Sequence, residues 1–187
     1  YMPDLEASEK AEVLLEQKMN EQDSAGGIIE CIVSGMPAGV GEPVFDKLDA
    51  NLSKAVMSIG AVKGVEIGDG FAIADMFGST DNDSFYYDES GNIRKETNHA
   101  GGILGGMSDG SDIVIRAAVK PTPSIARTQH TVNKSGENID INIKGRHDPI
   151  IVPRADVVVE SMSAIKILDM LMDSMTSRID RMKEFFR

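Results

Sequence analysis

The 187-residue sequence predicts an α+β fold. Residues 28–33 form an apolar, β-branched run typical of a strand, and similar short runs recur along the chain. Apolar residues at helical spacing mark separate segments near both ends and after Pro43. Because strands and helices do not alternate in a βαβ rhythm, the pattern favours antiparallel sheets with segregated helices.

Three segments have the apolar spacing of helices. Residues 4–21, capped by Asp4, carry a stripe that we expect to pack into the core, at Leu5, Ala11, Leu14, Leu15 and Met19. A second helix is expected to begin at Pro43 and to bury Val44, Leu48, Leu52, Ala55, Val56 and Ile59. Residues 155–186 predict one long helix or two, with a stripe that fills a core or a subunit interface, at Val158, Met162, Ile165, Leu168, Met172 and Met175.

Short apolar or alternating runs predict the strands and hairpins. Runs at 62–67 and 71–76 are separated by Gly68-Asp69-Gly70, and residues 112–119 read as a further strand. Two hairpins are expected, an exposed one about residues 89–92 and a second within residues 129–144.

The charge is unevenly distributed. Residues 1–115 carry 7 Lys and Arg against 21 Asp and Glu, a net charge of −14, whereas residues 116–154 carry 7 against 3, a net charge of +4. Residues 155–187 add −1, which gives −11 for the whole chain. An acidic protein repels phosphate backbones, so nucleic-acid binding is not expected. The basic segment suits a small anionic ligand, and a solvated surface stretch is the alternative.

Composition also limits location and metal content. The single cysteine, Cys31, allows no disulfide within the chain, so a reducing, cytoplasmic location is expected. No apolar run approaches the roughly 20 residues that a membrane helix needs. The start at Tyr1-Met2-Pro3-Asp4 resembles neither a signal peptide nor a natural beginning, so we expect a fragment. Three histidines and one cysteine lack metal-site spacing, so we predict no metal.

A glycine cluster at residues 98–108 is the first candidate site. Backbone without Cβ can approach a flat ring or a phosphate closely. The spacing matches neither the dinucleotide-binding nor the phosphate-loop motif, and a tight turn is the alternative.

The segment Lys120-Pro121-Thr122-Pro123-Ser124 is the second candidate. Two prolines restrict the backbone around one cation and two hydroxyls, a combination suited to a phosphate or the edge of a flavin ring. A rigid strand exit is the alternative.

Arg146-His147-Asp148 is the third candidate. The arginine could bind an anion beside a carboxylate that takes or relays a proton. A structural ion pair between the arginine and the aspartate is the alternative.

Several blocks, in order, resemble the C-terminal half of the chorismate synthase family. They include Gly68-Asp69-Gly70-Phe71, residues 98–106, Lys120-Pro121-Thr122-Pro123-Ser124-Ile125 and Gly145-Arg146-His147-Asp148-Pro149, and the likeness runs from about residue 1 to 175. Gln22 departs from the family, which often has glycine before Asp23-Ser24.

The resemblance implies a lyase. These enzymes convert 5-enolpyruvylshikimate 3-phosphate to chorismate by a 1,4-anti elimination of phosphate, in the shikimate pathway of aromatic amino acid biosynthesis. The resemblance further implies reduced FMN as cofactor, with NADPH as its reductant in some members, and a cytoplasmic homotetramer. It implies a fold with central helices between two antiparallel sheets, of which residues 1–187 would be one partial domain.

The resemblance also assigns residues. FMN would contact Gly60, Ala61, Gly105, Lys120, Pro121, Thr122, Pro123 and Ser124. Arg146 would hold an anionic group between flavin and substrate, and Asp148 would assist deprotonation near flavin N5.

The family's two catalytic histidines and arginine-rich substrate pocket have no counterpart in this sequence. We therefore expect the chain to be inactive alone. A non-catalytic flavin- or phosphate-binding fragment is the alternative function.

Overall fold

The computed structural model describes residues 2–145, 147–177 and 179–187, without the side chain of Arg181. Its helices are α1 (Leu5–Asn20), α2 (Leu48–Met57), α3 (Gly78–Asp81), α4 (Val152–Thr176) and α5 (Ile179–Phe185), with a 3₁₀ helix at Gly70–Asp75. Its strands are β1 (Gly27–Val33), β2 (Val62–Ile67), β3 (Phe85–Tyr87), β4 (Ile93–Lys95), β5 (Ile103–Leu104), β6 (Met107–Ser108), β7 (Ile113–Val119), β8 (Gln129–Val132) and β9 (Asn138–Ile141).

A three-stranded antiparallel sheet organises the chain. Its strand order is β1-β7-β2, so β7 lies in the centre. Val119 pairs with Gly27 on one side and Val62 on the other. The alternation in β7 puts one set of side chains in the core, all of them buried, namely Ile113, Ile115, Ala117 and Val119.

Helices α2 and α4 cover one face of this sheet. α2 buries Leu48, Leu52 and Val56 completely. α4 contributes Ala155, Val159, Ser163, Ile167 and Met170 at helical spacing. Full burial of a side chain such as leucine contributes about 1.5–3 kcal/mol. These two helices and the sheet face that they cover together supply most of the core. Helices packed on antiparallel strands confirm the α+β prediction.

The apolar stripe predicted to fill a core or a subunit interface lies on the outer face of α4. Ile165, Leu168 and Met172 are 63%, 59% and 59% exposed, and Met162 is half-buried. Apolar residues occur on every side of this helix, so spacing alone does not identify the packed side. The core alternative is therefore wrong for five residues that are exposed, while the alternative of a subunit interface stays a prediction; these residues are Val158, Ile165, Leu168, Met172 and Met175.

The predicted packing of the first helix is also wrong. α1 is present and Asp4 caps it by accepting a hydrogen bond from the Ala7 N–H, but none of its residues is buried. Gln22 follows its end with a φ of 56°, a conformation that favours glycine. The glycine that the family often has here suits this conformation, and nothing in the structure explains the glutamine.

Two predicted boundaries differ from the structure. α2 begins at Leu48 rather than Pro43, because Glu42 and Asp46 exchange backbone hydrogen bonds in a tight loop before it. The sequence predicts a strand at residues 71–76, but residues 71–75 lie in the 3₁₀ helix. The Glu66 carboxylate accepts a hydrogen bond from the Phe71 N–H, which turns the chain back towards β2.

Three two-stranded hairpins complete the fold, β3–β4, β5–β6 and β8–β9. The first and third confirm the two predicted hairpins. None of the helices in the described part of the chain is long and apolar enough to cross a membrane.

Candidate functional site

The loop Lys120–Ser124 leaves the central strand beside Gly60 and Ala61. The Lys120 N–H donates to the Ala61 carbonyl oxygen at 2.9 Å, next to the Val62–Val119 pair. Because β2 and β7 are adjacent, residues about 60 positions apart in sequence meet at one end of the sheet. The structure thus brings together most of the residues that the resemblance assigns to the cofactor.

Ala61 has a strained backbone at this junction. Its φ is 71°, in the left-handed region, which costs a non-glycine residue roughly 1–2 kcal/mol. The preceding Gly60 has no atom within 4 Å of the position that a Cβ would occupy. Strained backbone of this kind is often found at ligand sites, and open space beside it would allow a ligand to approach the chain closely.

The Lys120 loop has a cation and a hydroxyl without protein partners. Lys120 is exposed and belongs to none of the ion pairs in the described part of the chain. Thr122 Oγ1 is buried and has no hydrogen-bond partner among the described residues. Buried polar atoms almost always have a partner, so a ligand oxygen or water is the expected one.

The segment after α1 joins this loop to the Asp148 region. Ser24 Oγ donates to the Thr122 carbonyl at 2.7 Å, and the Ala25 N–H donates to the Pro149 carbonyl at 2.8 Å. A Cβ at Gly26 would lie 2.5 Å from the Val119 carbonyl oxygen, so only glycine permits this approach. These contacts position Asp148 near the Lys120 loop.

Asp148 lines a small cleft of about 190 Å³ with Met19, Gln22, Asp23, Ile125, Ala126, His147 and Pro149. Its Oδ2 accepts a hydrogen bond of 2.6 Å from Arg154 Nη1. Arg154 could not be predicted from the sequence as the partner of Asp148, because it lies in the first turn of α4 and no local motif links the two residues. The predicted site residue Arg146 lies outside the described residues.

Gly105, which the resemblance also assigns to the cofactor, lies away from the Lys120 loop. It forms the β5–β6 turn with Gly106, and both have positive φ, of 60° and 86°, as a type I′ turn requires. The Leu48 N–H donates to the Gly106 carbonyl at 2.8 Å, so this turn adjoins the start of α2. Gly60 follows the end of the same helix, which is about 15 Å long for ten residues. The described contacts therefore do not bring Gly105 to the Lys120 loop.

Charged side chains surround the glycine cluster. His99 Nδ1 lies 2.6 Å from Asp69 Oδ2, and this hydrogen bond raises the pKa of His99. Burial acts to raise the pKa of Asp83, but hydrogen bonds from Thr97, the Ala100 and His99 N–H groups and Lys95 outweigh it and lower the pKa to about 2. Asp83 is therefore a carboxylate throughout the neutral range.

Comparison with known proteins identifies the family. The model of the chorismate synthase family matches residues 1–172. The chain belongs to the chorismate synthase family.

Individual chorismate synthases agree with this assignment. The chain is 63% identical over 186 residues to the protein of Lachnoclostridium phytofermentans, and 52% identical over 170 residues to that of Methanocaldococcus jannaschii. A solved structure described as chorismate synthase superposes on 99% of the chain with a TM-score of 0.76 and 30% identity.

The chain spans about half the length of these chorismate synthases. The match includes the whole of this chain but only 51% of the Lachnoclostridium protein. The chain likewise covers 48% of the solved structure.

The residues present fit a flavin phosphate. Lys120 supplies a cation, Thr122 supplies a hydroxyl with no partner among the described residues, and no atom lies within 4 Å of the Cβ position at Gly60. A lysine ammonium and a hydroxyl are suitable donors for phosphate oxygens.

Proposed function

We propose that this chain forms the flavin side of a chorismate synthase active site, as the C-terminal half and a partial domain of that fold. The reaction is the 1,4-anti elimination of phosphate from 5-enolpyruvylshikimate 3-phosphate, which yields chorismate. The observation that carries the proposal is the hydrogen bond between Lys120 and Ala61, which joins two predicted cofactor loops beside an unpartnered cation and hydroxyl. The proposal includes a cytoplasmic homotetramer.

Reduced FMN, when bound, would supply electron density as phosphate leaves. Lys120 and Thr122 would bind its phosphate or ring edge, and Pro121 and Pro123 would restrict the loop so that little order is lost on binding. Gly60, Ala61 and Ser124 would complete this surface through backbone and hydroxyl groups. The open position at Gly105 is assigned to the same cofactor by resemblance.

Asp148 would take a proton. Arg154 binds Oδ2, and Oδ1 accepts no hydrogen bond from the other described residues. One carboxylate oxygen is therefore oriented by an ion pair while the other is available to a proton donor. Arg146 is proposed to hold an anionic group of the substrate, in agreement with the net positive charge of residues 116–154.

A chimaeric enzyme tests the proposal. The matched half of the Lachnoclostridium phytofermentans protein is replaced by this chain, to which it is 63% identical. Phosphate release from 5-enolpyruvylshikimate 3-phosphate is measured anaerobically with reduced FMN. We expect turnover by the chimaera and none by the 187-residue chain alone.

Two substitutions in the chimaera separate the assigned roles. Asp148→Asn is expected to lower kcat by roughly 100-fold with little change in FMN affinity, because it removes a proton acceptor. Lys120→Met is expected to weaken FMN binding by about 10-fold, and Lys134→Met, an exposed lysine of the same basic segment, is the matched control. Wild-type phosphate release by the Asp148 variant would contradict the proton-acceptor role.

The alternative is a flavin- or phosphate-binding module without catalysis. The half-length match favours it, since the partner groups for catalysis would be absent. FMN binding by the 187-residue chain alone, with no phosphate release from either the chain or the chimaera, would support this alternative.

A further inference from the structure

Lys95 lies in a buried polar cluster beneath the glycine hairpin of β5 and β6. The side chains of Lys95, Asp83 and Asp109 are only 3%, 4% and 7% exposed. Lys95 Nζ donates to Asp109 Oδ2 at 2.7 Å, to Asn98 Oδ1 at 3.0 Å and to Asp83 Oδ2 at 3.3 Å. All three N–H donors of the ammonium group are therefore used.

The partners of Lys95 hold the backbone that enters the hairpin. Asp83 accepts hydrogen bonds from the His99 N–H at 2.8 Å and the Ala100 N–H at 3.0 Å. Asn98 accepts one from the Gly102 N–H and donates one to the Asp112 carbonyl, each at 2.8 Å. One ammonium group thus ties together the segment before the hairpin and the segment after it.

Stability alone does not explain this arrangement. Buried charges lose their hydration, and well-packed apolar side chains of similar size often stabilise a protein equally well. A buried network whose members are all hydrogen-bonded instead fixes one geometry. The geometry fixed here is that of the backbone at residues 97–102 and 109–112.

The far side of the hairpin is held as well, while its tip is open. Ser108 Oγ donates to the Pro37 carbonyl and accepts from the Val40 N–H, and the Gly106 carbonyl accepts from the Leu48 N–H. At Gly105, no atom lies within 4 Å of the position of a Cβ, and Leu104 beside it is 39% exposed. A rigid turn with an uncovered glycine backbone is suited to contact with a flat ring.

We propose that Lys95 is a positioning residue that fixes the Gly105 turn as a contact surface for FMN. It acts through Asp83, Asn98 and Asp109 and does not itself touch the cofactor. This inference rests on the proposed function, in which FMN contacts Gly105.

The test uses a double variant that preserves the charge of the cluster. Lys95→Met/Asp109→Asn removes one positive and one negative charge, and Asp83 keeps its donors from Thr97, His99 and Ala100. Lys95→Met alone leaves two carboxylates without a cation and serves as the more severe variant. Val159→Ala, in the fully buried core of α4, is the control for a general loss of stability.

Two readouts separate positioning from folding. Amide hydrogen exchange on the 187-residue chain is expected to be at least 10-fold faster at His99, Ala100 and Gly102 in the double variant, with strand β7 unchanged. FMN titration of the chimaera is expected to show roughly 10-fold weaker binding in the double variant, as when groups that orient a binding residue are removed. Val159→Ala is expected to leave FMN affinity unchanged at a matched loss of melting temperature.

Three other outcomes would contradict the positioning role of Lys95. Unchanged exchange at the hairpin would overturn the role of Lys95, and so would faster exchange with unchanged FMN affinity. Equal weakening by Val159→Ala would reduce the effect to stability. If the wild-type chimaera does not bind FMN, the proposed function and the flavin role of the hairpin both fail, while hydrogen exchange still reports whether Lys95 orders the turn.

Discussion

The carboxylate of Asp83 accepts more hydrogen bonds than any other carboxylate whose contacts are described above. Thr97, His99, Ala100 and Lys95 donate to it, and together they lower its pKa to about 2 despite its burial. The ordinary pKa of an aspartate is 3.8. Between pH 2 and pH 3.8 the unfolded chain therefore binds more protons at Asp83 than the folded chain does. The stabilisation by this group is therefore complete above about pH 4 and is lost as the pH falls through about 2.

Asp83→Asn should remove this pH dependence. We expect the variant to be less stable than the wild type at pH 6 by about 2 kcal/mol, and the difference to shrink towards pH 2. Urea unfolding of both proteins at a series of pH values measures it. A difference in unfolding free energy that is constant from pH 6 to pH 2 would contradict the assigned cause.

Ala61 permits a second test at the scale of one residue. Its left-handed φ of 71° tolerates a small side chain but opposes a β-branched one. Ala61→Val is expected to lower the unfolding free energy by about 1–2 kcal/mol more than Ala118→Val, which places the same side chain at an exposed strand position. Equal losses in thermal or urea unfolding would show that the conformation of Ala61 is not strained.

At the scale of elements, the loop before the 3₁₀ helix interlocks with the glycine cluster. A Cβ at Gly101 would lie 2.3 Å from the Gly68 nitrogen, and the φ of Gly101 is 63°. Gly101→Ala should therefore cost more than about 2 kcal/mol and separate the two loops. Gly91→Ala is the control, because Gly91 also has a positive φ, of 79°, but has no atom within 4 Å of an added Cβ.

Calorimetry of the two alanine variants decides this point. We expect Gly91→Ala to lower the unfolding free energy by only about 1 kcal/mol, because the positive φ is its sole source of strain. Similar melting temperatures for the two variants would mean that the contact between Gly68 and Gly101 can relax.

Elements could be predicted from sequence where one pattern dominates. The alternation in β7 and the turn residues of both predicted hairpins identify these elements, since each is a local signal. α4 has apolar residues all round, so a helical segment could be predicted here but the buried side of the helix could not. Residues 71–76 have the composition of a strand, and the hydrogen bond from Phe71 to Glu66 overrides it.

In the candidate site, local motifs could likewise be predicted from the sequence, whereas contacts between separate elements could not. The Lys120 loop is a continuous motif, so its residues could be proposed as a site from the sequence, and their role stays a prediction. Its contact with Ala61 depends on the pairing of β2 with β7, which no local pattern specifies. The ion pair of Asp148 with Arg154 and the cluster around Lys95 also join residues from separate elements. These contacts required the structure.

At the scale of the whole molecule, large apolar areas are exposed. The outer row of α4 contains Ile165, Leu168 and Met172, and α1 buries none of its residues. Patches of this extent usually mark surfaces that contact protein. We therefore expect the isolated chain to self-associate at micromolar concentration.

Leu168→Glu/Met172→Lys tests this expectation. The two positions are 59% exposed and one helical turn apart, so the substitution adds a favourable ion pair without disturbing the core. We expect a larger monomer fraction in sedimentation at an unchanged melting temperature. Thr176→Glu on the same helix adds charge without removing apolar surface, and an equal gain from it would assign the effect to charge alone.

The central strand of the sheet is the last of its three strands to be synthesised. Gly27 and Val62 both pair with Val119, so β1 and β2 leave the ribosome before the strand that joins them in this sheet. Pairing across such a long stretch of chain is slow, and two unpaired strand edges invite contact with other nascent chains in the interval. The three-stranded sheet therefore cannot be completed until residue 119 has been synthesised.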